Sequence, residues 1–171
     1  MKEFWRQHLK QQRSLIPSLR RQQAEAALLS LLPKLESYPF VLSFASLPEE
    51  ISTHSLNQHL ANQGRLLLPK VEQDSLQIYL VTDLDKLKKS PLGILEPDPQ
   101  LCPKATPSLI LVPALGFDEN LHRLGYGKGY YDKLLAQFIA IPKFGIGFVE
   151  QKIQILPHQA HDIAMNELFV F

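Results

Sequence analysis

The chain is short of cysteine and of excess charge, and each shortage excludes something. Of its 171 residues only Cys102 is a cysteine, so no internal disulfide can form and a reducing compartment is expected. No base stands beside Cys102 in the sequence to activate its thiol. With 18 basic against 17 acidic residues, the chain has no field to draw nucleic acid or an acidic membrane towards it, so any anion site must be local. Apolar runs near the roughly 20 residues of a membrane span are missing. So are a signal-peptide pattern, internal repeats and low-complexity tracts. Neither nucleic acid nor membrane is expected as a partner, and a cytoplasmic monomer is expected.

What remains is an ordinary globular composition, 45% apolar, in a length that suits one domain over residues 1–171. Good helix formers from Lys2 to Arg13 predict an N-terminal helix, on which Lys2 and Arg6, four apart, share a face. Taken alone, that face reads as a solvated one. Ala24, Ala27, Leu28, Leu31 and Leu32 make a core-facing helical stripe from about Ser18, expected to stop before Pro33. Residues 40–45 predict a buried strand, followed by a helix containing Leu56 and Leu60. Further strands are expected over 64–71, over 76–81 with a solvated face or at an edge, over 143–149 and over 168–171. A short helix is expected within 83–89. Five prolines between Ser90 and Pro107 argue against regular structure throughout that stretch, and an ordered loop beside the site is the favoured reading.

One stretch concentrates glycine, cations, aromatics and a carboxylate: Arg123-Leu124-Gly125-Tyr126-Gly127-Lys128-Gly129-Tyr130-Tyr131-Asp132. The branched run Ser108 to Pro113 before it predicts a buried strand. Leu134, Leu135 and Phe138 after it recur at helical spacing, so the glycines lie where a loop enters a helix. There, backbone N–H groups converge and the helix terminus adds partial positive charge, which suits a phosphate. Three such N–H bonds give about 3 kcal/mol, short of the roughly 8 kcal/mol of a micromolar complex. Lys128 and Arg123 add charge-assisted bonds, and Asp132 can hold a divalent metal between phosphates, which brings the sum into the range of a nucleotide. The competing reading is a glycine-rich turn with solvated charges. A Walker A loop is disfavoured, since it needs glycine where His122 stands and Ser or Thr where Gly129 stands, and so is a dinucleotide fingerprint, which needs glycine in place of Tyr130.

Together with Val112-Pro113-Ala114-Leu115-Gly116-Phe117-Asp118, this stretch resembles the signature of the 5-formyltetrahydrofolate cyclo-ligases, also called methenyltetrahydrofolate synthetases. Other elements carry the resemblance from Lys2 to Asp162. Lys2 and Arg6 match a Lys-x-x-x-Arg element of the family's ATP site. Glu50, Ile51 and Thr53 match a Glu-Val-x-Thr element whose Glu helps hold the folate, with Phe44 and Ala45 as apolar wall. Gly93-Ile94-Leu95-Glu96-Pro97 matches an element near the substrate, with Glu96 as a folate contact. Pro157 to Asp162 matches a Pro-x-x-x-His-Asp element whose Asp lies near the metal. Leu121 and Asn166 depart from it, standing where many members carry glycine and an acidic residue.

The resemblance implies a single-domain three-layer α/β/α sandwich around a mainly parallel, mixed sheet. It also implies ATP-dependent closure of 5-formyltetrahydrofolate to 5,10-methenyltetrahydrofolate, with Mg²⁺ as cofactor. Arg123 and Lys128 are the expected catalytic residues. Lys2, Arg6, Arg123, Gly125, Tyr126, Gly127, Lys128, Gly129, Tyr130 and Tyr131 are expected at the nucleotide. Ala45, Glu50, Glu96, Tyr126 and Tyr130 are expected at the folate, and Asp132 and Asp162 at the metal. The alternative is a non-catalytic nucleotide- or folate-binding regulator of the same fold.

Overall fold

Leu109-Ile110-Leu111-Val112 is apolar at every position, so a strand built from it must be covered on both faces. All four residues are buried, each contributing about 2 kcal/mol of apolar transfer. The computed structural model describes residues 1–171. In chain order the elements are α1 (Lys2–Ser14), α2 (Ser18–Leu28), α3 (Leu32–Leu35), β1 (Val41–Leu42), α4 (His54–Asn62), β2 (Leu66–Glu72), β3 (Ser75–Leu80), β4 (Lys88–Lys89) and β5 (Leu95–Glu96). They continue with β6 (Leu109–Val112), β7 (Gly116–Asp118), β8 (Arg123–Leu124), α5 (Tyr130–Gln137), β9 (Lys143–Gly147), β10 (Lys152–Ile153) and β11 (Glu167–Val170).

The main sheet has the order β11-β9-β6-β1-β2-β3, parallel throughout except for the β2–β3 pair. Val41 sits opposite both Leu66 and Leu109, so alternate residues sort to opposite faces. Val41, Leu66, Leu68, Leu109 and Leu111 pack with Ala24, Leu28, Leu35, Leu56 and Leu60 of α2, α3 and α4. Leu42, Leu67, Ile110 and Val112 pack with Leu134 and Leu135 of α5. This is the expected three-layer sandwich.

The chain leaves β1 for β2 on one side and, after a long excursion, lays β6 on the other. The direction of winding therefore switches between β1 and β6, and in such sheets a crevice opens beyond the strands' carboxyl ends at that point. A second sheet, β10-β7-β8, stands beside it. Against it lies α1, with Leu9 packed among Leu115, Leu124 and Leu156. Lys2, Arg6, Leu9 and Arg13 recur at helical spacing, so one face of α1 carries three cations.

Four local expectations need correction. The stripe expected to end before Pro33 continues: α2 passes through a 3₁₀ turn, Leu29–Leu31, into α3, with Pro33 in its first turn, where a missing N–H loses no bond. The strand expected over 40–45 pairs only as Val41–Leu42. The proline-rich stretch 90–107, expected to lack regular structure, contributes β5, which pairs with β4. Finally, β6 does not run straight into the glycine loop, because the β7–β8 hairpin intervenes.

Candidate active site

The glycine segment is held at both ends. On its upstream side β7 pairs with β8, Phe117 opposite Arg123, and the turn between them is tied by Asp118. That carboxylate is 1% exposed and accepts from the N–H groups of Asn120 and His122 at 2.9 Å and of Leu156 at 3.0 Å. On its downstream side Gly129 takes φ +72° just before α5 begins at Tyr130. Gly127 takes φ +97°, and a Cβ there would lie 3.1 Å from the Arg6 guanidinium carbon. Glycine is needed at both, for the left-handed backbone and, at Gly127, for the approach of Arg6.

Ion pairs draw the rest of the rim together. Arg6 donates to the Gly125 carbonyl at 3.1 Å. Arg123, only 5% exposed, pairs with Asp132 and donates to the Ile163 carbonyl at 3.2 Å, linking the start of α5 to the segment that carries Asp162. Lys2 pairs with Asp162 at 2.8 Å. Burial works to raise the Asp162 carboxyl, but the Lys2 ammonium and the Gln159 N–H outweigh it and hold it below the usual range. Lys128 is exposed at the cavity edge.

Nowhere do three or more His, Cys, Asp or Glu side chains converge, and His161 is exposed. The two carboxylates singled out in the sequence, Asp132 and Asp162, are paired separately, with Arg123 and with Lys2. One or two carboxylates are what a protein offers Mg²⁺, whose other ligands are waters and substrate phosphates.

The floor of the crevice is different in kind. A cavity of about 370 Å³ lies beyond β1 and β6, with Phe44, Ala45 and Pro113 at the strand ends and Tyr126, Tyr130 and Tyr131 opposite. Pro69 and Val71 of β2, the loop residues Leu92 and Ile94, and Leu95 and Glu96 of β5 close it. The end of β1 is fixed by Thr53 and Asn57, whose side chains both donate to the Phe44 carbonyl.

Glu50 is the polar anchor of this floor. It accepts from the Leu47 N–H at 2.8 Å and from the Tyr126 hydroxyl at 2.6 Å. Burial pushes its carboxyl up, and the Tyr126 hydroxyl, the Leu47 N–H and the Arg13 charge pull against that. Burial and the Glu50 charge push the Tyr126 and Tyr131 hydroxyls up as well, so both remain donors at neutral pH. On the far wall Glu96, 7% exposed, is held by Lys70 at 3.2 Å and by the Val71 N–H at 3.4 Å.

Of the residues singled out in the sequence, Ala45, Glu50, Glu96, Arg123, Gly125 to Gly129, Tyr130, Tyr131 and Asp132 line this one cavity. Lys2, Arg6 and Asp162 do not line it: Arg6 reaches the Gly125 carbonyl, Lys2 and Asp162 pair with each other, and Ile163, next to Asp162, is joined to Arg123. Cys102 stands apart, half-buried, its thiol pushed up by burial. Sequence reasoning passed over Arg13, which is buried behind Tyr126. The available signal was its place four residues after Leu9, on the face of α1 that points inward.

The 5-formyltetrahydrofolate cyclo-ligase family model matches residues 1–170. The chain belongs to that family. It is 31% identical to the 5-formyltetrahydrofolate cyclo-ligase of Mycolicibacterium smegmatis, over 94% of this chain and 88% of the relative. It is 26% identical to the mouse 5-formyltetrahydrofolate cyclo-ligase, over 73% of this chain and 70% of that one. The NMR structure of Aquifex aeolicus 5,10-methenyltetrahydrofolate synthetase superposes with TM-score 0.82 at 27% identity, covering 98% of this chain and 88% of that one. A Mycoplasma pneumoniae 5,10-methenyltetrahydrofolate synthetase shares the fold, with TM-score 0.71 at 23% identity over 98% and 96% of the two chains. As a cyclo-ligase family member the chain is an enzyme of one-carbon metabolism.

Proposed function

We propose that this cyclo-ligase uses ATP to close 5-formyltetrahydrofolate to 5,10-methenyltetrahydrofolate, releasing ADP and phosphate, within one catalytic domain over residues 1–171. The observation that carries the reading is the sharing of one crevice by two unlike halves: a glycine loop bordered by Arg6, Arg123 and Lys128, and an apolar cavity with Glu50 at its base. The first suits a triphosphate, the second a flat heterocycle with N–H donors.

The chemistry explains why both are needed. The formyl amide carbonyl is a poor electrophile and its oxygen a poor leaving group. In the proposed first step that oxygen takes the terminal phosphoryl group of ATP and ADP departs. The neighbouring secondary amine of the folate then attacks the activated carbon. The nitrogen loses its proton and phosphate leaves with the original oxygen, giving the methenyl bridge. Both groups lie on one molecule, so proximity comes with the substrate.

Arg123, Lys128 and the loop N–H groups neutralise charge as the phosphoryl group moves. Lys2 and Arg6 hold the nucleotide from α1. Ala45 and Tyr130 flank the pterin, while Glu50 accepts its N–H groups and Glu96 bounds the folate on the far wall. Tyr126 and Tyr131 supply aromatic faces and hydroxyl donors. Asp132 and Asp162 would hold Mg²⁺, which would supply neutralisation of phosphate charge.

No helix is long and apolar enough to cross a membrane. A cytoplasmic monomer acting on soluble folate and ATP, without nucleic acid or membrane partners, completes the proposal. The test is formation of the methenyl chromophore from 5-formyltetrahydrofolate, dependent on ATP and Mg²⁺. Turnover in the native chain that is lost in the combined Lys128→Ala, Asp132→Asn variant is expected. Full activity in that variant contradicts the site assignment, and folate or nucleotide binding without any turnover in the native chain favours a regulator.

A further inference from the structure

Arg13 is a charged group buried behind the wall of the crevice, against Tyr126, to which the proposed reaction gives no task. It ends the face of α1 that carries Lys2 and Arg6 and is 2% exposed, yet its surroundings satisfy it poorly. Nη1 reaches the Ala114 carbonyl only at 3.5 Å, and Nε has no hydrogen-bond partner. None of the ten ion pairs includes it. A buried guanidinium retained for packing alone carries a desolvation penalty that nothing offsets, so its charge calls for another explanation.

Its neighbour is Tyr126. The guanidinium carbon lies 5.5 Å from the centroid of that ring, within reach of a cation–π attraction, while the Tyr126 hydroxyl donates to Glu50 at 2.6 Å. Glu50 also forms no ion pair. Tyr126 therefore stands between a buried cation and a recessed carboxylate, touching one with its ring and the other with its hydroxyl. The arrangement is braced by Arg21, whose guanidinium donates to the main-chain carbonyls of Arg13 and Glu49, stapling the end of α1 to the turn that carries Glu50.

We propose that Arg13 is a positioning residue for the folate: from behind Tyr126 its charge favours the anionic form of Glu50, whose remaining lone pairs accept the N–H groups of the substrate ring. This rests on the assignment of Glu50 to the folate. Burial opposes the anion, and Arg13 acts beside the Tyr126 hydroxyl and the Leu47 N–H in its favour, with Glu49 against. The other charged or titratable groups around the cavity are Arg123, Lys128 and Asp132 at the rim, Tyr130 and Tyr131 at the start of α5, and Glu96, which is already paired with Lys70.

The test compares the native protein with Arg13→Gln, Glu50→Gln and the double variant, measuring 5-formyltetrahydrofolate affinity and both KM values from neutral to acid pH. Arg13→Gln is expected to weaken folate binding, with the loss growing as pH falls from neutral into the acid range. It should also move the acid limb of the folate profile to higher pH and leave the ATP KM unchanged. The double variant should lose no more than Glu50→Gln alone. An unmoved acid limb, equal losses for both substrates, or additive losses in the double variant would overturn the proposal. If Glu50→Gln leaves folate affinity intact, it is the Glu50 assignment that has failed, and this proposal with it. Should Arg13→Gln not fold, Arg13→Lys decides: retained charge predicts a native acid limb even if Tm falls, and a displaced limb overturns the role.

Discussion

At the rim of the crevice Lys128 is exposed, Asp132 keeps about half its side-chain surface in water while paired with Arg123, and Lys2 is 30% exposed against Asp162. At the floor Glu50 takes a tyrosine hydroxyl and a backbone N–H among apolar walls, with a buried arginine behind the tyrosine. Lys128, Lys2 and Asp132 stand partly in water, suited to a highly charged ligand but screened by salt, while Arg123 among them is 5% exposed. Glu50 at the floor is recessed and less screened, its carboxyl raised by burial. The two halves of the site should therefore respond to different perturbations.

The largest effect is expected at Arg123, which joins Asp132 to the 162–163 segment. Arg123→Ala should lower kcat/KM for ATP about 100-fold, the roughly 3 kcal/mol of a charge-assisted bond, in steady-state assays, with the folate KM nearly unchanged. A comparable loss for folate would erase the division between rim and floor.

Glu50→Gln should raise the folate KM about 10- to 30-fold, roughly 1.5–2 kcal/mol, with the ATP KM unaffected. The pH dependence sharpens the same contrast. The Glu50 carboxyl is raised above its ordinary 4.5, so folate kcat/KM in the native protein should fall as pH drops through that raised value, and Glu50→Gln should abolish this limb. For stability the sign is opposite. A raised carboxyl binds its proton more tightly when folded, so the fold gains stability as pH falls through the interval between 4.5 and the raised value. Urea titrations at successive pH values should show that gain in the native chain and not in Glu50→Gln.

A substitution away from both halves supplies the control. A Cβ on Gly145 would lie 2.6 Å from the buried Phe117 ring, so Gly145→Ala should cost about 2 kcal/mol of stability through overpacking, read as a lower urea midpoint. Both KM values should stay put. The smallest effect belongs to the partly exposed Lys2–Asp162 pair. Asp162 is held below its usual range, so its contribution is present above the ordinary carboxylate range and lost as pH falls through the depressed value. Lys2→Ala should remove at most about 1 kcal/mol near neutral pH, and nothing at pH values below that transition.

How far the sequence foretold this depends on the scale of the feature. The β6 run and the Leu134, Leu135 pair of α5 were legible because apolar period and burial coincide there. The glycine segment was legible because its composition is unusual. The β7–β8 hairpin was not, since strands of three and two residues carry no periodicity. Its organising residue, Asp118, reads as a surface acid until three N–H groups are seen converging on it.

Leu121 is instructive in the same turn. It takes φ +64°, a conformation that favours glycine and strains leucine by about 1–2 kcal/mol. The turn keeps its shape because the Leu121 side chain packs on the second core cluster and its carbonyl accepts from the Met165 N–H at 2.8 Å. Asn166, the other departure, is explained as readily: it clasps Lys143 through main chain and side chain at 2.8 Å. Arg13 escaped notice because an arginine in a polar helix looks solvated, and only the packing of α1 against β7 and β8 turns it inward.

The division of labour is tested most directly by measuring both KM values, side by side, for Arg123→Ala and Glu50→Gln at low and high salt. The account predicts a crossed pattern: Arg123→Ala and added salt weaken ATP alone, and Glu50→Gln weakens folate alone at either salt. Loss of both substrates together in either variant, or a folate KM that climbs with salt as the ATP KM does, would contradict it.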